Sequence, residues 1–356
     1  RCCGAVWGGG ALMAAKRGGV RTTGEVLEWR LSRIEGDRTR SEKYRASMGS
    51  LMRRHVLPRL GRVAVRRLDR VTLDDKLVFP MHQVLAPRTV QKALQGMRQA
   101  FRMAETQGRI EDNPLVGTTF RDFYKGKLRP KPAALSRVDL PALVQHLVQV
   151  FNRDPAKGML PLMMLAHGTR IAETVAARWG HISLDERVWV IPEANTKSRR
   201  EHVLPLTPQV VGLLGRYREA LPDARLKTAW VLPVRGGAGL ALTSAHALMR
   251  EVSGRQWTSH DLRKLMRSSL ADIGVDHMVG ELLINHALGV TTETYLTRDA
   301  MERRREALER WHARLDECGF ADAHGVNVAA PAFLQSSAAP VLARDCADSS
   351  VSTWGG

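Results

Sequence analysis

The sequence predicts a mainly α-helical protein with a small β-sheet, built from an all-helical first domain and an α+β second domain. Three observations lead to this prediction. Apolar residues recur at helical spacing through residues 21–123. Two short segments with alternating apolar residues, 186–193 and 200–206, have the pattern of strands joined by a turn. A basic segment with prolines, residues 124–136, separates the helical part from the part that contains the strands, and it predicts a linker.

The ends of the chain differ in composition from its middle. The first residues are rich in glycine and the last are rich in alanine and serine, so neither stretch has the apolar repeat of a packed element. We therefore expect five segments: 1–19, disordered or artefactual; 20–123, a helical domain; 124–136, a basic linker; 137–316, a second domain; and 317–356, a disordered tail.

The clearest predicted helix of the first domain is PRTVQKALQGMRQAFRMAETQG, residues 87–108, in which Pro87 suits the first turn and Gly108 the end. Its apolar face consists of Val90, Leu94, Met97, Phe101 and Ala104. Its other face carries a basic stripe consisting of Arg88, Lys92, Arg98 and Arg102. Earlier in the chain, SEKYRASMGSLMRRHVL predicts a helix that stops at Pro58 and Gly61.

Positive charge is concentrated in the first part of the chain. The formal net charge is +18, and residues 1–140 hold 29 Lys and Arg against 13 Asp and Glu, a net +16 (29 − 13) that leaves +2 for the rest. Such an excess is hard to tolerate without a polyanionic partner, and a nucleic acid is the partner it predicts. The candidate contacts are Arg88, Lys92, Arg98, Arg102, Lys125 and Lys127.

Composition also excludes several classes of protein. No apolar run approaches the length of about 18 residues that a membrane span needs, so no membrane partner is expected. The four cysteines, Cys2, Cys3, Cys318 and Cys346, all lie near the ends of the chain. This placement excludes a disulfide framework or a cysteine-based zinc site in the folded core, and a reducing cytoplasm is the expected compartment.

The second half of the chain contains side chains suited to phosphodiester chemistry. Cutting a phosphodiester without a metal requires a nucleophile, donors for the two non-bridging oxygens and an acid for the leaving oxygen. Arginine suits those oxygens because its planar fork stays charged and binds phosphate at two points. HGTRIAETVAARW places Arg170 at the start of a helix with Glu173 one turn on, and NTKSRREH places Lys197 at the turn between the predicted strands.

Two further segments supply histidines and a tyrosine. SHDLRKLMRSSLADIG puts His260 and Arg263 one helical turn apart, and INHALGVTTETYL places His286 nine residues before Tyr295. Each signal alone is more often structural, since Arg–Glu pairs are usually surface ion pairs and most histidines and tyrosines are packed. The order and spacing of these residues along the chain are more specific than any one of them, and 93 residues separate the two arginines (263 − 170).

With HGTRIAE, NTKSRREHVLPL, HDLR and NHALGVTTETYL in this order, the chain resembles the tyrosine recombinases, the integrases of phages and mobile elements together with the bacterial Xer proteins. The resemblance covers about residues 20–316 and fills all six catalytic positions of the family. It implies a helical core-binding domain, ending in AETQGRIEDNP, followed by an α+β catalytic domain. The chain departs from the family at Asn285, where a glycine is common, and at Lys264, where a histidine is frequent.

The resemblance implies a role for each matching residue. Tyr295 would attack the DNA phosphate, form a 3′-phosphotyrosyl link and release a 5′-hydroxyl. Arg170 and Arg263 would neutralise the charge that grows on the phosphate, and Lys197 would protonate the leaving 5′-oxygen.

The two histidines complete the implied set. His260 would assist proton transfer at the tyrosine, and His286 would hydrogen-bond the scissile phosphate. Because the tyrosine link conserves the energy of the phosphodiester, no cofactor, ATP or catalytic metal is expected. The implied partners are a duplex DNA recombination site, a homotetramer assembled on it, and accessory DNA-bending or directionality proteins. The implied location is the bacterial cytoplasm, on the nucleoid when the protein is bound to DNA.

The leading interpretation is a site-specific recombinase of the integrase type, and a Xer-like resolvase of chromosome or plasmid dimers is the alternative within the family. A type IB topoisomerase is disfavoured because it usually lacks the HDLR form. A catalytically idle DNA-binding relative would keep the fold, but such relatives tend to lose the tyrosine or an arginine. A non-specific RNA-binding protein would explain the charge but not the catalytic set. The apolar face of residues 301–315 packs either on a neighbouring subunit, as in the family, or on its own chain.

Overall fold

The computed structural model describes residues 20–129, 132–222, 228–286 and 298–327. The chain divides between residues 131 and 132 into two compact units, each with its own hydrophobic core. The expectations for 1–19 and 328–356 lie outside the described residues. The predicted fold class is confirmed, because helices dominate both units and a small antiparallel sheet lies in the second.

Helices make up the regular structure of the first unit. The first of them begins at a reciprocal cap, in which the Thr22 hydroxyl accepts from the Glu25 amide and the Glu25 carboxylate accepts from the Thr22 amide. The six α-helices are α1 Thr23–Gly36, α2 Glu42–Leu51, α3 Leu57–Leu60, α4 Arg70–Leu73, α5 Phe79–His82 and α6 Pro87–Thr106.

Helix α6 confirms the predicted amphipathic pattern. All five predicted apolar positions are buried, with at most 1% of any of these residues exposed. Full burial of a Val, Leu, Met or Phe side chain stabilises the fold by about 1.5–3 kcal/mol, so this face fixes the helix in the core of the first unit. The basic stripe therefore faces away from that core.

The helical path that begins at Glu42 does not stop at Pro58, as the sequence had predicted. A π-helical segment, Met52–Val56, follows α2, and the path continues through Pro58 in α3 until Gly61 ends it. In an α-helix the proline ring would clash with the carbonyl four residues earlier, and the wider π turn removes this conflict. The expected stop at Pro58 is wrong for this reason, whereas the stop at Gly61 is confirmed.

The second unit packs helices around a three-stranded antiparallel sheet in the order β1, β2, β3. The strands are β1 Ile182–Ser183, β2 Val188–Ile191 and β3 His202–Pro205. The α-helices are α7 Leu140–Arg153, α8 Pro155–His167, α9 Ile171–Val175, α10 Pro208–Ala220, α11 Leu242–Val252, α12 Ser259–Asp272, α13 His277–Leu283, α14 Arg298–Asp316 and α15 Ala321–His324.

The predicted pair of strands is confirmed, although each strand is shorter than its predicted segment. Strands β2 and β3 pair antiparallel with Ile191 opposite His202, which leaves the chain between them to form a loop. Trp189 and Ile191 alternate with less buried neighbours and enter the core. Strand β1 was not predicted, because two residues are too few to show a period of two.

Helix α14 packs on its own chain. Leu308, Trp311 and Leu315 are each at most 1% exposed and belong to the core of the second unit. The indole nitrogen of Trp311 donates to the carbonyl oxygen of Leu165 at 3.0 Å. Of the two arrangements expected for this apolar face, the structure shows packing in cis.

The start of the expected disordered tail is folded, which corrects the prediction for residues 317–327. Cys318, Phe320 and Ala323 are buried, and the Nε2 of His324 lies 2.8 Å from a carboxylate oxygen of Asp316. The Ala- and Ser-rich composition of the whole segment concealed this short apolar stretch. Phe320 is the largest of these buried side chains, and together they hold the turn after α14 against the core.

Removal of the apolar contact of α14 should destabilise the second unit. We expect Leu308→Ala to lower the free energy of unfolding by about 2–5 kcal/mol, because it leaves a cavity at a fully buried position. Urea denaturation of the full chain, followed by tryptophan fluorescence, measures this change. Arg303→Ala on the exposed face of α14 is the control and should stay within about 0.5 kcal/mol. Equal stability of the two variants would contradict packing in cis.

Candidate active site

Arg170 lies at the turn that joins α8 to α9. Helix α8 ends at Gly168, which has a φ of +61°, and a Cβ there would lie 2.4 Å from the sulfur of Met266. The turn therefore requires glycine both for its conformation and for its space. Glu173, which is 2% exposed, accepts hydrogen bonds from the Arg170 amide at 2.8 Å and from its guanidinium at 2.7 Å. This pair fixes the direction of the arginine side chain.

Arg263 lies in the first turns of α12 and is 3% exposed. Its guanidinium donates to the carbonyl of Gly168 at 2.7 Å and also to the carbonyl of Ile284. Burial, and then the charge of Arg170, lowers its pKa to about 10. The group therefore stays charged at neutral pH, and the two positive charges lie close enough to repel each other.

His260 lies one helical turn before Arg263 on α12 and is exposed. Partial burial, followed by the positive charges of Lys264 and Arg263, lowers the pKa of His260 below its ordinary value. A histidine with a lowered pKa is mostly neutral at pH 7, so its imidazole is able to accept a proton. Lys264, which replaces the histidine frequent in the family, thus acts on the charge state of His260.

A single turn, residues 283–286, brings the predicted residues together. The carbonyl of Leu283 accepts from His202 at 3.1 Å, that of Ile284 from Arg263, and that of Asn285 from Arg170 at 3.3 Å. These donors belong to β3, to α12 and to the start of α9, which are far apart in sequence. His286 is the last residue of this turn and directly follows the carbonyl that accepts from Arg170.

Asn285 has a φ of +50°, in the left-handed region. Glycine adopts this conformation without strain, and asparagine is among the few other residues that tolerate it. The departure from the family's common glycine therefore preserves the backbone of the turn, and it adds an amide side chain to the site.

The carboxylate of Glu281 orients the imidazole of His286. Its Nδ1 lies 2.5 Å from Oε2 of Glu281, and Oε1 of the same residue accepts from Nε of Arg267 at 2.6 Å. Burial raises the pKa of Glu281, but hydrogen bonds from Arg267 and His286 outweigh burial and leave the pKa below its ordinary value. Glu281 is therefore charged at neutral pH and directs the imidazole of His286.

Lys197 is exposed in the loop between β2 and β3. The buried Thr196 organises this loop, since its hydroxyl lies within hydrogen-bond distance of the carbonyls of Glu193 and Arg200. The hydroxyl of Ser198 lies 3.1 Å from Oδ1 of Asn285, so the loop is connected to the turn that binds the two arginines.

The structure thus brings the Lys197 loop, Arg170, Arg263 and His286 to one place, with His260 one turn from Arg263. The predicted nucleophile Tyr295 lies outside the described residues. Sequence reasoning missed the supporting residues Ser198, His202, Arg267 and Glu281. Arg267 and Glu281 are 14 residues apart on different helices, so no local spacing could have identified the pair.

The predicted DNA-contacting residues of the first unit lie at its surface. Arg88 donates to the carbonyl of Leu128 at 3.2 Å, and the Lys92 ammonium donates to the hydroxyl of Ser47 at 2.9 Å. Arg98 and Arg102 line an open groove of about 650 Å³. Lys125 and Lys127 are exposed. In the part of the chain that the structure describes, no helix has the length and apolar character required to cross a bilayer.

Residues 137–302 match the model of the phage integrase family. Prophage integrase IntA of Escherichia coli (strain K12) is 25% identical over 275 residues, which cover 76% of this chain and 65% of IntA. Tyrosine recombinase XerD of Pseudomonas aeruginosa is 26% identical over 259 residues, which cover 69% of this chain and 83% of XerD. The chain thus spans slightly less than two thirds of IntA and most of XerD.

Solved structures of integrases have the same fold. The Tn1549 transposon integrase in complex with a circular intermediate DNA gives a TM-score of 0.61 at 13% identity, over 81% of this chain and 100% of that chain. A lambda integrase dimer bound to a COC′ core site gives 0.61 at 12% identity, over 78% of each chain. A lambda integrase tetramer bound to a Holliday junction gives 0.59 at 14% identity, over 76% of this chain and 79% of that chain.

The stability of the fold should depend on pH through three buried histidines. Burial lowers the pKa of His167 and His202 to about 4 and that of His312 to about 3. An unfolded histidine titrates near 6.5, so between pH 6.5 and about 4 the unfolded chain binds protons that the folded chain does not. The free energy of unfolding should therefore fall as the pH falls through this range, by up to about 1.4 kcal/mol per pH unit for each histidine.

Urea denaturation at several pH values between 7.5 and 5 measures this slope. His202→Gln should make the slope shallower, because one of the three histidines no longer titrates. His246→Gln, at an exposed position, is the matched control and should leave the slope unchanged. The same slope for His202→Gln and for the wild type would contradict the assignment.

Proposed function

We propose that this chain is a tyrosine recombinase of the integrase type, a site-specific recombinase that cuts and rejoins duplex DNA. The match of residues 137–302 to the phage integrase family and the likeness to XerD support this assignment. The observation that supports this function best is the convergence of Arg170 and Arg263 on consecutive carbonyls immediately before His286. Two guanidinium groups and an imidazole at one turn form a site for a single phosphate.

The burial of Arg263 strengthens this interpretation. Desolvation of a guanidinium costs free energy, and among the described residues the hydrogen-bond partners of Arg263 are the neutral carbonyls of Gly168 and Ile284. The charge that acts most strongly on Arg263 is that of another cation, Arg170. An anion that enters between the two arginines would remove their repulsion, and a scissile phosphate has that charge.

We assign the reaction as follows. The phenol oxygen of Tyr295 attacks the phosphorus and forms the 3′-phosphotyrosyl bond, while the bond from phosphorus to the 5′-oxygen breaks. His260 accepts the tyrosine proton, and Lys197 gives a proton to the departing 5′-oxygen. Rejoining reverses each transfer, with the 5′-hydroxyl of a second strand as the nucleophile. Arg170, Arg263 and His286 hold the non-bridging oxygens throughout.

The proposed partners follow from the same chemistry. Strand exchange joins ends from two duplexes, so two DNA sites and several copies of the chain must meet; we propose a homotetramer on DNA, as in the structure of lambda integrase bound to a Holliday junction. Accessory DNA-bending or directionality proteins, and association with the nucleoid of a bacterial cytoplasm, belong to this proposal.

The second candidate is a Xer-like resolvase of DNA dimers. The match to XerD favours this candidate, because the sequence identity of 26% with XerD is about equal to the 25% identity with IntA. The two candidates share the chemistry and differ in the DNA that they recombine. A catalytically idle relative is disfavoured, because every catalytic position of the family is occupied in this chain.

Covalent trapping tests the proposed activity. Fragments of the DNA that flanks the gene are first selected for tight binding, and a nicked duplex of the selected site is then incubated with the protein. The wild type should give a covalent band on a denaturing gel, and Tyr295→Phe should give none. Arg170→Ala and Arg263→Ala should slow the formation of the covalent protein–DNA band by about 100- to 1000-fold, because each change removes a donor to the phosphate oxygens. Tight binding by the wild type without any covalent band would identify a DNA-binding relative instead.

The affinity for DNA should fall steeply with salt. If six or more phosphates are contacted, the binding constant should fall by roughly a thousandfold or more between 50 and 200 mM salt. Arg102→Ala should reduce the slope of log K against log salt by about 1, since one counterion fewer is released. Gln95→Ala, an exposed and uncharged neighbour on α6, is the control and should leave the slope unchanged. A flat salt dependence of the wild type would contradict the role of the basic surface.

A further inference from the structure

The loop that carries Lys197 is closed by hydrogen bonds between its two ends. The Thr196 hydroxyl lies 2.8 Å from the carbonyl of Arg200 and 3.1 Å from its amide, so the two ends of the turn are joined. Arg199 has a φ of +54°, which reverses the chain within this short span. Residues 196–200 therefore move together, and whatever fixes one of them also fixes the backbone of Lys197.

A contact between two side chains connects this closed loop to the arginine site. The Ser198 hydroxyl lies 3.1 Å from Oδ1 of Asn285, across 87 residues of sequence. Either orientation of the amide preserves the bond, because the hydroxyl can donate to Oδ1 or accept from Nδ2. Ser198 is half-buried, which limits the competition of water for this contact.

Asn285 is itself fixed by the phosphate-binding groups. Its carbonyl accepts from the Arg170 guanidinium at 3.3 Å, and the preceding carbonyl accepts from Arg263. Its left-handed backbone directs the side chain toward the β2–β3 loop, where Ser198 meets it. A glycine at this position would keep the backbone but lose the connection to the loop.

We propose that Ser198 and Asn285 are positioning residues, which set the distance between the Lys197 ammonium and the phosphate held by Arg170 and Arg263. This inference rests on the proposed function, in which Lys197 is the acid for the leaving 5′-oxygen. A lysine side chain has four rotatable bonds, so the position of its backbone determines how often the ammonium reaches the oxygen. A displacement of about 1 Å in such a group can slow a reaction by about a hundredfold.

The test uses two substrates for cleavage by the full-length protein. One is the ordinary duplex, and the other carries sulfur in place of the 5′-oxygen that leaves. A thiolate is a much weaker base than an alkoxide and departs without a proton, so this substrate does not need the acid. Variants whose defect lies in proton donation regain their rate on the sulfur substrate, and variants with a damaged phosphate site do not.

We expect Ser198→Ala and Asn285→Gly to slow cleavage of the ordinary duplex by about 10- to 100-fold. Both should cleave the sulfur substrate within about twofold of the wild type, and both should bind DNA with unchanged affinity. The double variant should be no slower than the slower single variant, because both changes break the same contact. Ser244→Ala, at an exposed position on α11, is the matched control and should cleave both substrates at the wild-type rate.

Lys197→Ala separates a failure of this inference from a failure of the proposed function. If sulfur restores Lys197→Ala but not Ser198→Ala and Asn285→Gly, the two residues do not act through the lysine and the inference is overturned. Wild-type rates of both variants on the ordinary duplex would overturn it as well. If sulfur fails to restore Lys197→Ala itself, the assignment of the acid is wrong and the inference falls with it.

Discussion

The site depends on hydrogen bonds to three consecutive backbone carbonyls, those of residues 283–285. His202, Arg263 and Arg170 donate to them in turn. The donors come from a strand and from two helices, so one short turn fixes elements that are up to 115 residues apart in sequence. Backbone carbonyls keep their place when side chains rotate, so this turn adds fixed acceptors to the carboxylate of Glu173, which already directs Arg170.

In the interior of the second unit, burial favours the neutral form of His167, His202 and His312, whereas Arg263 stays charged. His312 is fully buried; its Nε2 lies 2.9 Å from the carbonyl of Ala166 and its Nδ1 2.7 Å from the Thr207 hydroxyl, which fits one neutral tautomer. Burial lowers the pKa of histidine and arginine alike, but arginine begins high enough to remain charged. Arg263 therefore keeps its positive charge at neutral pH although it is buried.

Charge is used differently in the two units. In the first, the excess lies at the surface and suits the repeating anion of the proposed DNA partner, for which no single contact is decisive. In the second, the net charge is low and the functional side chains are few: Glu173 directs Arg170, Glu281 directs the imidazole of His286, and backbone carbonyls hold Arg263. Long-range attraction and local chemistry are thus supplied by separate parts of the chain.

The sequence by itself determined the helical pattern of α6, the pair of strands β2 and β3, and the candidate residues with their order, because these depend on local periodicity and on residue type. It misplaced the helix end at Pro58, where π geometry decides the outcome, and it concealed the folded segment after α14, which a few buried residues hold in place. Only the tertiary structure showed which donors meet the turn at residues 283–285 and how the Lys197 loop is connected to it. Those contacts join segments that are distant in sequence, and no local pattern records them.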